Sequence, residues 1–191
     1  MTLMAIHVNK DNEVMIGIRE PGPPFPVHDF SVQQVIILGR DYKRKVTLEF
    51  DRKKKGNKLF SYVFRIRTDS QNGVYVVDHS QYNDRIVAVD RNGCLKFTYG
   101  EQTDFGTFRP MGIIITSSDN IVVADLSNYA LHVINSKGDL LGLQFIFNDL
   151  NIYDPYSVCF DTKGYLLIGC GKGENEDYGK IHVVKMIDSL T

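Results

Sequence analysis

The sequence predicts an all-β protein, a β-propeller of about four four-stranded antiparallel blades, on three observations. A long passage recurs: "NGVYVVD" from Asn72 returns 47 residues later as "DNIVVAD" from Asp119, and "KGYLLIG" from Lys163 follows at 44. Apolar runs of four to seven residues, rich in Val, Ile, Tyr and Phe, are bounded by Gly, Asn, Asp and Pro, which is strand chemistry. Helical spacing is nowhere sustained, and four-stranded units repeated every 40 to 50 residues mark a propeller.

The elements follow in chain order. "DNEVMIG" from Asp11 is the earliest copy, 61 residues before Asn72, the excess lying in a Pro-rich insert. The blades therefore cover approximately 1–60, 61–108, 109–153 and 154–191 of one domain. First strands are expected at Ala5 to Val8, Phe64 to Arg67, Gly112 to Ile115 and Ser157 to Phe160, each followed by a polar turn and the aligned second strand. "QVIILG", "RIVAVD", "LHVIN" and "IHVVK" supply third strands; "VTLEF", "LKFTY" and "LLGLQF" supply fourth strands in the first three copies only. Asn92-Gly93 predicts a tight two-residue hairpin with positive φ at both positions, and Lys137-Gly138 stands at the matching place. Pro110 and Pro155 open first strands, where a missing N–H does no harm.

Bulk properties narrow the classes. The 191 residues are 43% hydrophobic and 24% charged with net charge -1, an ordinary globular composition without a global pull toward nucleic acid or anionic lipid. No apolar run approaches the roughly 20 residues that span a bilayer. "MTLMAIHVNKDNE" lacks the pattern of a secretory signal, so a cytoplasmic location is expected. Three cysteines without CxxC spacing suggest neither a disulfide framework nor a zinc site.

"RPMGIIITSSDNIVVADLSNYALHVINSKGDLLG", Arg109 to Gly142, resembles an NHL repeat: Pro-x-Gly-Ile, a polar turn, an apolar strand ending in Ala-Asp, then Asn, then a strand closed by a Gly turn. The copy from Phe64 keeps "VYVVD" and Arg85 but has Arg65 and Arg67 in its first strand, and the copy from Pro155 puts Gly169 where Asp is expected. As a whole the chain resembles the C-terminal NHL propeller of tripartite-motif ubiquitin ligases. Propellers of that family usually close with six blades, so four copies suggest an incomplete, open propeller whose unpaired flanks invite another chain.

The resemblance implies a non-enzymatic interaction module that recognises a protein partner or ubiquitination substrate, with transfer left to a RING elsewhere. Blade-top loops would then bind protein through Tyr82, Asn83, Asn128 and Tyr129. The alternative is RNA binding. From Arg40 to Lys58 nine Lys/Arg stand against three acids, and Lys43, Arg44, Lys45 with Arg52, Lys53, Lys54 and Lys55 could meet phosphates. A solvated hairpin tip that discourages edge aggregation accounts for the same charges.

Asp78 and Asp125 recur at second-strand ends, which favours a structural carboxylate accepting backbone N–H bonds over a channel metal. His132 and His182 occupy equivalent third-strand positions, again a packing signature. No nucleophile elbow, phosphate loop or paired acidic motif is present, so no cofactor, no metal and no catalytic residue are expected and the chain is expected not to be an enzyme. Two segments depart from the repeat. The insert Arg19 to Ser31 carries four of the six prolines and suits either a PPII ligand or a rigid loop packing Phe25 and Phe30. "GCGKGENEDYGK", Gly169 to Lys180, suits a flexible acidic loop.

Overall fold

The computed structural model describes residues 1–23, 25–26, 31–100, 106–172 and 178–185. Phe30 and much of the Pro-rich and acidic loops lie outside the described residues. The chain divides into two compact units, Met1–Gln102 and Thr103–Thr191.

The first unit holds two sheets. Strands β1 (Thr2–Val8), β2 (Val14–Arg19), β3 (Gln33–Leu38) and β4 (Arg44–Leu48) pair antiparallel in sequence order, as do β5 (Val63–Thr68), β6 (Val74–Asp78), β7 (Arg85–Val89) and β8 (Leu95–Tyr99). In the second unit β9 (Pro110–Ile115), β10 (Ile121–Asp125), β11 (Ala130–Ile134) and β12 (Leu140–Phe145) form a third such sheet. The fourth has three strands among the described residues, β13 (Pro155–Phe160), β14 (Leu166–Cys170) and β15 (Lys180–Val184). These are propeller blades, as the repeat predicts. One element was not expected, a five-residue helix α1 (Ile146–Leu150) after β12, whose Ile146 is buried with the neighbouring Ile152.

Turn chemistry explains why one pattern recurs with different letters. At each β1–β2-type turn a residue takes positive φ: Asn12, Asn72, Asp119 and Gly164. Three residues earlier a side-chain oxygen caps the loop. Asn9 Oδ1 accepts from the backbone N–H of Asp11 and Glu13, Asp69 Oδ1 from Gln71 and Gly73, Thr116 Oγ1 from Asn120, and Asp161 Oδ1 from Lys163 and Tyr165. Such Asx and ST turns need a short polar side chain and tolerate the left-handed residue, so Asn, Asp and Gly interchange.

The positive-φ residues place the true spacings at 60, 47 and 45. The N-terminal and C-terminal copies are thus shifted by one residue from the letter alignment. One consequence is that Cys170, not Gly169, takes the place of Asp78 and Asp125, since Leu166 follows its turn as Val74 and Ile121 follow theirs. The hairpin after β7 also differs from expectation. Asp90 Oδ1 accepts from Asn92 and Cys94 N–H, Gly93 N–H donates to Asp90 O, and positive φ falls on Gly93 and not on Asn92. This is a type I turn with a Gly bulge, and β7–β8 shifts register between Ala88 and Val89.

Every blade has two faces. In the first unit Val74, Val76, Val87 and Val89 of one sheet form a common core with Met15, Val35, Ile37 and Leu48 of the other. In the second, Val158, Leu166 and Ile168 meet Ile114, Val122 and Val133. Each buried aliphatic side chain contributes about 1.5–3 kcal/mol before ordering costs. The inner strands approach closely where side chains are small. A Cβ on Gly17 would lie 2.6 Å from Val63 Cγ1, and one on Gly112 would lie 2.9 Å from the Val158 backbone nitrogen.

Two predictions follow from this packing. Gly17→Ala forces Val63, which has no flexible end to move, and should cost about 1–3 kcal/mol in urea unfolding. Gly142→Ala meets nothing within 4 Å and should stay within about 0.5 kcal/mol; equal effects would refute the close-approach account. His7 concerns pH. Its Nε2 lies 2.9 Å from Thr68 Oγ1, and burial, with the nearby Arg67, lowers its pKa from 6.5 to about 4. The folded state therefore favours the neutral ring. Stability should be full above pH 6.5, fall as pH drops toward about 4, and lose no more to this group below that. His7→Gln should remove that part of the acid sensitivity, read as the wild-type minus variant difference in urea midpoint.

Candidate functional site

In the second unit the end of β10 organises the loop that follows. Asp125 is fully buried and receives four donors: the N–H groups of Arg109 and Ser127, both at 3.0 Å, Asn128 Nδ2 at 2.6 Å and His132 Nε2 at 3.2 Å. Burial pushes its carboxyl up, but His132, Asn128 and the Arg109 N–H outweigh burial and hold it below the usual value. Phe108 packs edge-on against His132 at 5.0 Å. Asn128 also donates to Thr107 O at 3.0 Å, so its amide nitrogen is committed to the fold.

The next residue, Tyr129, takes φ 46 and is half-buried. Its carbonyl accepts from Ile146 N–H at 2.9 Å, pinning α1 beside it. The ring meets Phe147 at 6.3 Å and Tyr153 at 5.8 Å, and Phe147 and Tyr153 lie 4.6 Å apart. Phe147 is 38% and Tyr153 45% exposed, so three rings share a partly open cluster at the loop end of the blade. Only Tyr129 was legible as a candidate. Phe147 and Tyr153 are brought to it by a helix too short to show periodicity.

In the first unit Asp78 performs the corresponding task. It is fully buried, accepts from the Ser61 and Tyr62 N–H groups, both at 2.7 Å, and pairs with Arg85 Nε at 3.0 Å. Burial raises its pKa against the opposing pull of Arg85 and the two N–H donors. Tyr82 is 82% exposed on the β6–β7 loop, and Asn83 stands beside it in a turn held by Ser80 Oγ. At the same end two arginines flank a run of rings: Arg19 lies over Tyr62, His79 stacks between Tyr62 and Phe64, and Arg65 lies over Phe64 at 5.1 Å. Phe25 leans on Tyr62 at 5.9 Å, so this residue of the Pro-rich insert packs as a rigid loop would.

At the turn end of the first unit lies a cavity of about 490 Å³ lined by Asp11, Glu13, Arg40, Asp41, Lys45 and Arg91. Its centre is Glu13, almost fully buried, which accepts from Arg91 Nη2 at 2.5 Å, Lys45 Nζ at 3.3 Å and Asn9 Nδ2 at 3.0 Å. Burial works against the charged form, but those three donors hold the carboxyl below its usual value. Sequence reasoning missed this site because its residues come from three separate turns. The basic candidates are divided accordingly. Lys45 is tied to Glu13, while Lys43, Arg44, Arg52, Lys53, Lys54 and Lys55 are exposed. Among the described residues no group of three or more His, Cys, Asp or Glu side chains is placed to share a metal ion. Cys94, Cys159 and Cys170 carry free thiols, and burial, with Asp154 nearby, pushes the Cys170 thiol up to about 11.

No protein-family model matches the chain, and no curated protein matches it. Solved structures do. A catalytically inactive virginiamycin B lyase from Staphylococcus aureus with quinupristin aligns over 96% of this chain and 55% of its own, with TM-score 0.62 and 14% identity. A gluconolactonase from Xanthomonas campestris aligns over 85% and 52%, with TM-score 0.53 and 17% identity. A protein of unknown function from Bacteroides caccae aligns over 97% and 60%, with TM-score 0.53 and 14% identity. The chain spans little more than half the length of these proteins. Their likeness, with the four blades, establishes the propeller-type fold; an NHL or tripartite-motif identity is not among what they show.

The expectation that the chain is not an enzyme is corrected by the same finding, because two of these structures are enzymes on this fold. Propeller loops can converge catalytic groups from distant segments without any contiguous motif, so a missing motif does not exclude catalysis. Location is constrained only in that, among the described residues, no helix is long and apolar enough to cross a membrane.

Asp125→Ala would orphan the Arg109, Ser127, Asn128 and His132 donors together. We expect a loss of about 2–4 kcal/mol in urea unfolding, and a change under 1 kcal/mol would show that the loop does not depend on this carboxylate.

Proposed function

We propose that this chain is the recognition part of a propeller protein and binds a protein segment at the loop end of the β9–β12 blade. The observation that carries the reading is the partly open cluster of Tyr129, Phe147 and Tyr153 on a rigidly anchored loop. Aromatic rings held in place lose little entropy on contact and bury much area, which is why they dominate protein interfaces. Tyr82 and Asn83 offer a second exposed contact on the first unit. The resemblance to NHL propellers of tripartite-motif ligases supports a ubiquitination substrate as the partner, and the three free thiols suit a reducing cytoplasm.

A second reading has its own support. Arg52 to Lys55 are all exposed, and the Arg19–Tyr62–His79–Phe64–Arg65 stack joins cations to aromatic faces, the chemistry that holds single-stranded RNA.

The two readings separate in one experiment. Affinity capture with the wild-type chain, with Phe147→Ala/Tyr153→Ala and with Lys54→Glu/Lys55→Glu is run with and without nuclease. Protein recognition predicts a retained partner that survives nuclease and is lost with the aromatic pair. Loss with nuclease and with the charge-reversed pair, together with a shallower salt dependence, would replace that reading with RNA binding.

A further inference from the structure

We propose that the chain associates with a second copy of itself head to tail, the outer face of the β13–β15 sheet seating on the unpaired face of the β1–β4 sheet. The inference is independent of the recognition reading and starts from the two-faced blade. In the first unit the leading face of β5–β8, with Val74, Val76 and Val87, is received by the trailing face of β1–β4. Strand pairing puts Val14, Ile16 and Ile36 at the same places on the leading face of β1–β4, with Ile6 beside Ile16 and Val8 beside Val14. That face is chemically a blade interface; Ile36 on β3 is buried, but along β1 the face is open, with Leu3 61%, Ile6 62% and Val8 54% exposed.

The matching half is present on the same chain. Val158, Leu166 and Ile168 use the leading face of β13–β15, so its trailing face carries Cys159, Leu167 and Val183 in one row and Ser157, Gly169 and Ile181 in the next. Ile181 is 74% and Val183 63% exposed. The fit is specific in one detail. Val63 approaches Gly17 so closely that no Cβ would fit, and Leu3 stands at the position of Val63 while Gly169 stands at that of Gly17. The chain therefore keeps an exposed knob on one sheet and, on another, the small residues Gly169 and Ser157 at the place that receives such a knob, with the Ser157 hydroxyl lying over Gly169 in the free chain. Two surfaces that differ in this way make a heterologous contact, in which each copy offers one face and accepts the other.

Sedimentation of the full chain over a wide concentration range tests this. The wild type should show a mass above one chain that rises with concentration. Ile6→Lys and Ile181→Lys, both at exposed positions, should each sediment as single chains while keeping wild-type circular dichroism, with Val8→Lys and Val183→Lys as second variants if either misfolds. Mixing the two Lys variants is decisive. Each retains the face the other has lost, so an equimolar mixture should recover dimers. A wild type that stays single at every concentration, assembly that survives either substitution, or a mixture that stays monomeric would each overturn the proposal.

Discussion

Everything in this fold depends on how near one sheet can come to the next. A flat four-stranded sheet has two sides, and hydrophobic burial stabilises it only if another sheet lies against it. In each unit the distance is set on the inner strands by residues without bulk. Gly17 and Ala5 admit Val63, and Gly112 admits the backbone of Ser157 and Val158. Larger residues there would hold the sheets apart and leave voids among the valines and isoleucines farther out. The outer strands, with Arg44 and Leu140 exposed, carry little of this constraint.

Buried carboxylates translate that packing into loop geometry. Asp78 and Asp125 sit where the second strand ends and gather N–H groups from the segment that enters the same blade. One side chain thus fixes two chain segments, which frees the intervening residues to vary. Tyr82 and Tyr129 occupy such freed positions. Where the repeat has Ile18 or Cys170 in place of Asp, this clamp is missing from the blade.

The blade plan was legible because its turn chemistry is repetitive. Short polar caps and left-handed residues leave a clear trace of Asn, Asp and Gly, and β-branched strands fill the gaps. The polar-turn letters nevertheless sit one residue off the backbone repeat at Asp11 and Lys163, because a polar residue stands on either side of the left-handed position, which the backbone puts at Asn12 and Gly164. The same confusion made Asn92-Gly93 look like a two-residue turn, whereas Asp90 caps a longer one. Of the site, the structural role of Asp78 and Asp125 and the exposure of Tyr82 could be anticipated from position alone. The Phe147–Tyr153 contact and the Glu13 cavity could not, since each joins residues that no local period relates.

The basic segment shows how far charge counting carries. Nine cations between Arg40 and Lys58 look like one patch in sequence, but the fold gives them different tasks. Lys45, with Arg91 from outside the run, neutralises the buried Glu13, and Lys58 donates to the Ser31 carbonyl. A buried carboxylate without such partners would cost several kcal/mol, so these cations are bound to the fold before any ligand arrives. Arg52 to Lys55 are different. Their backbone is anchored, through Asp51 Oδ1 to Lys53 N–H and Arg52 N–H to Gly93 O, while their side chains project into solvent. A rigid base under mobile charges loses less entropy on meeting a polyanion than a flexible loop does, so this half of the segment is where an electrostatic partner would act.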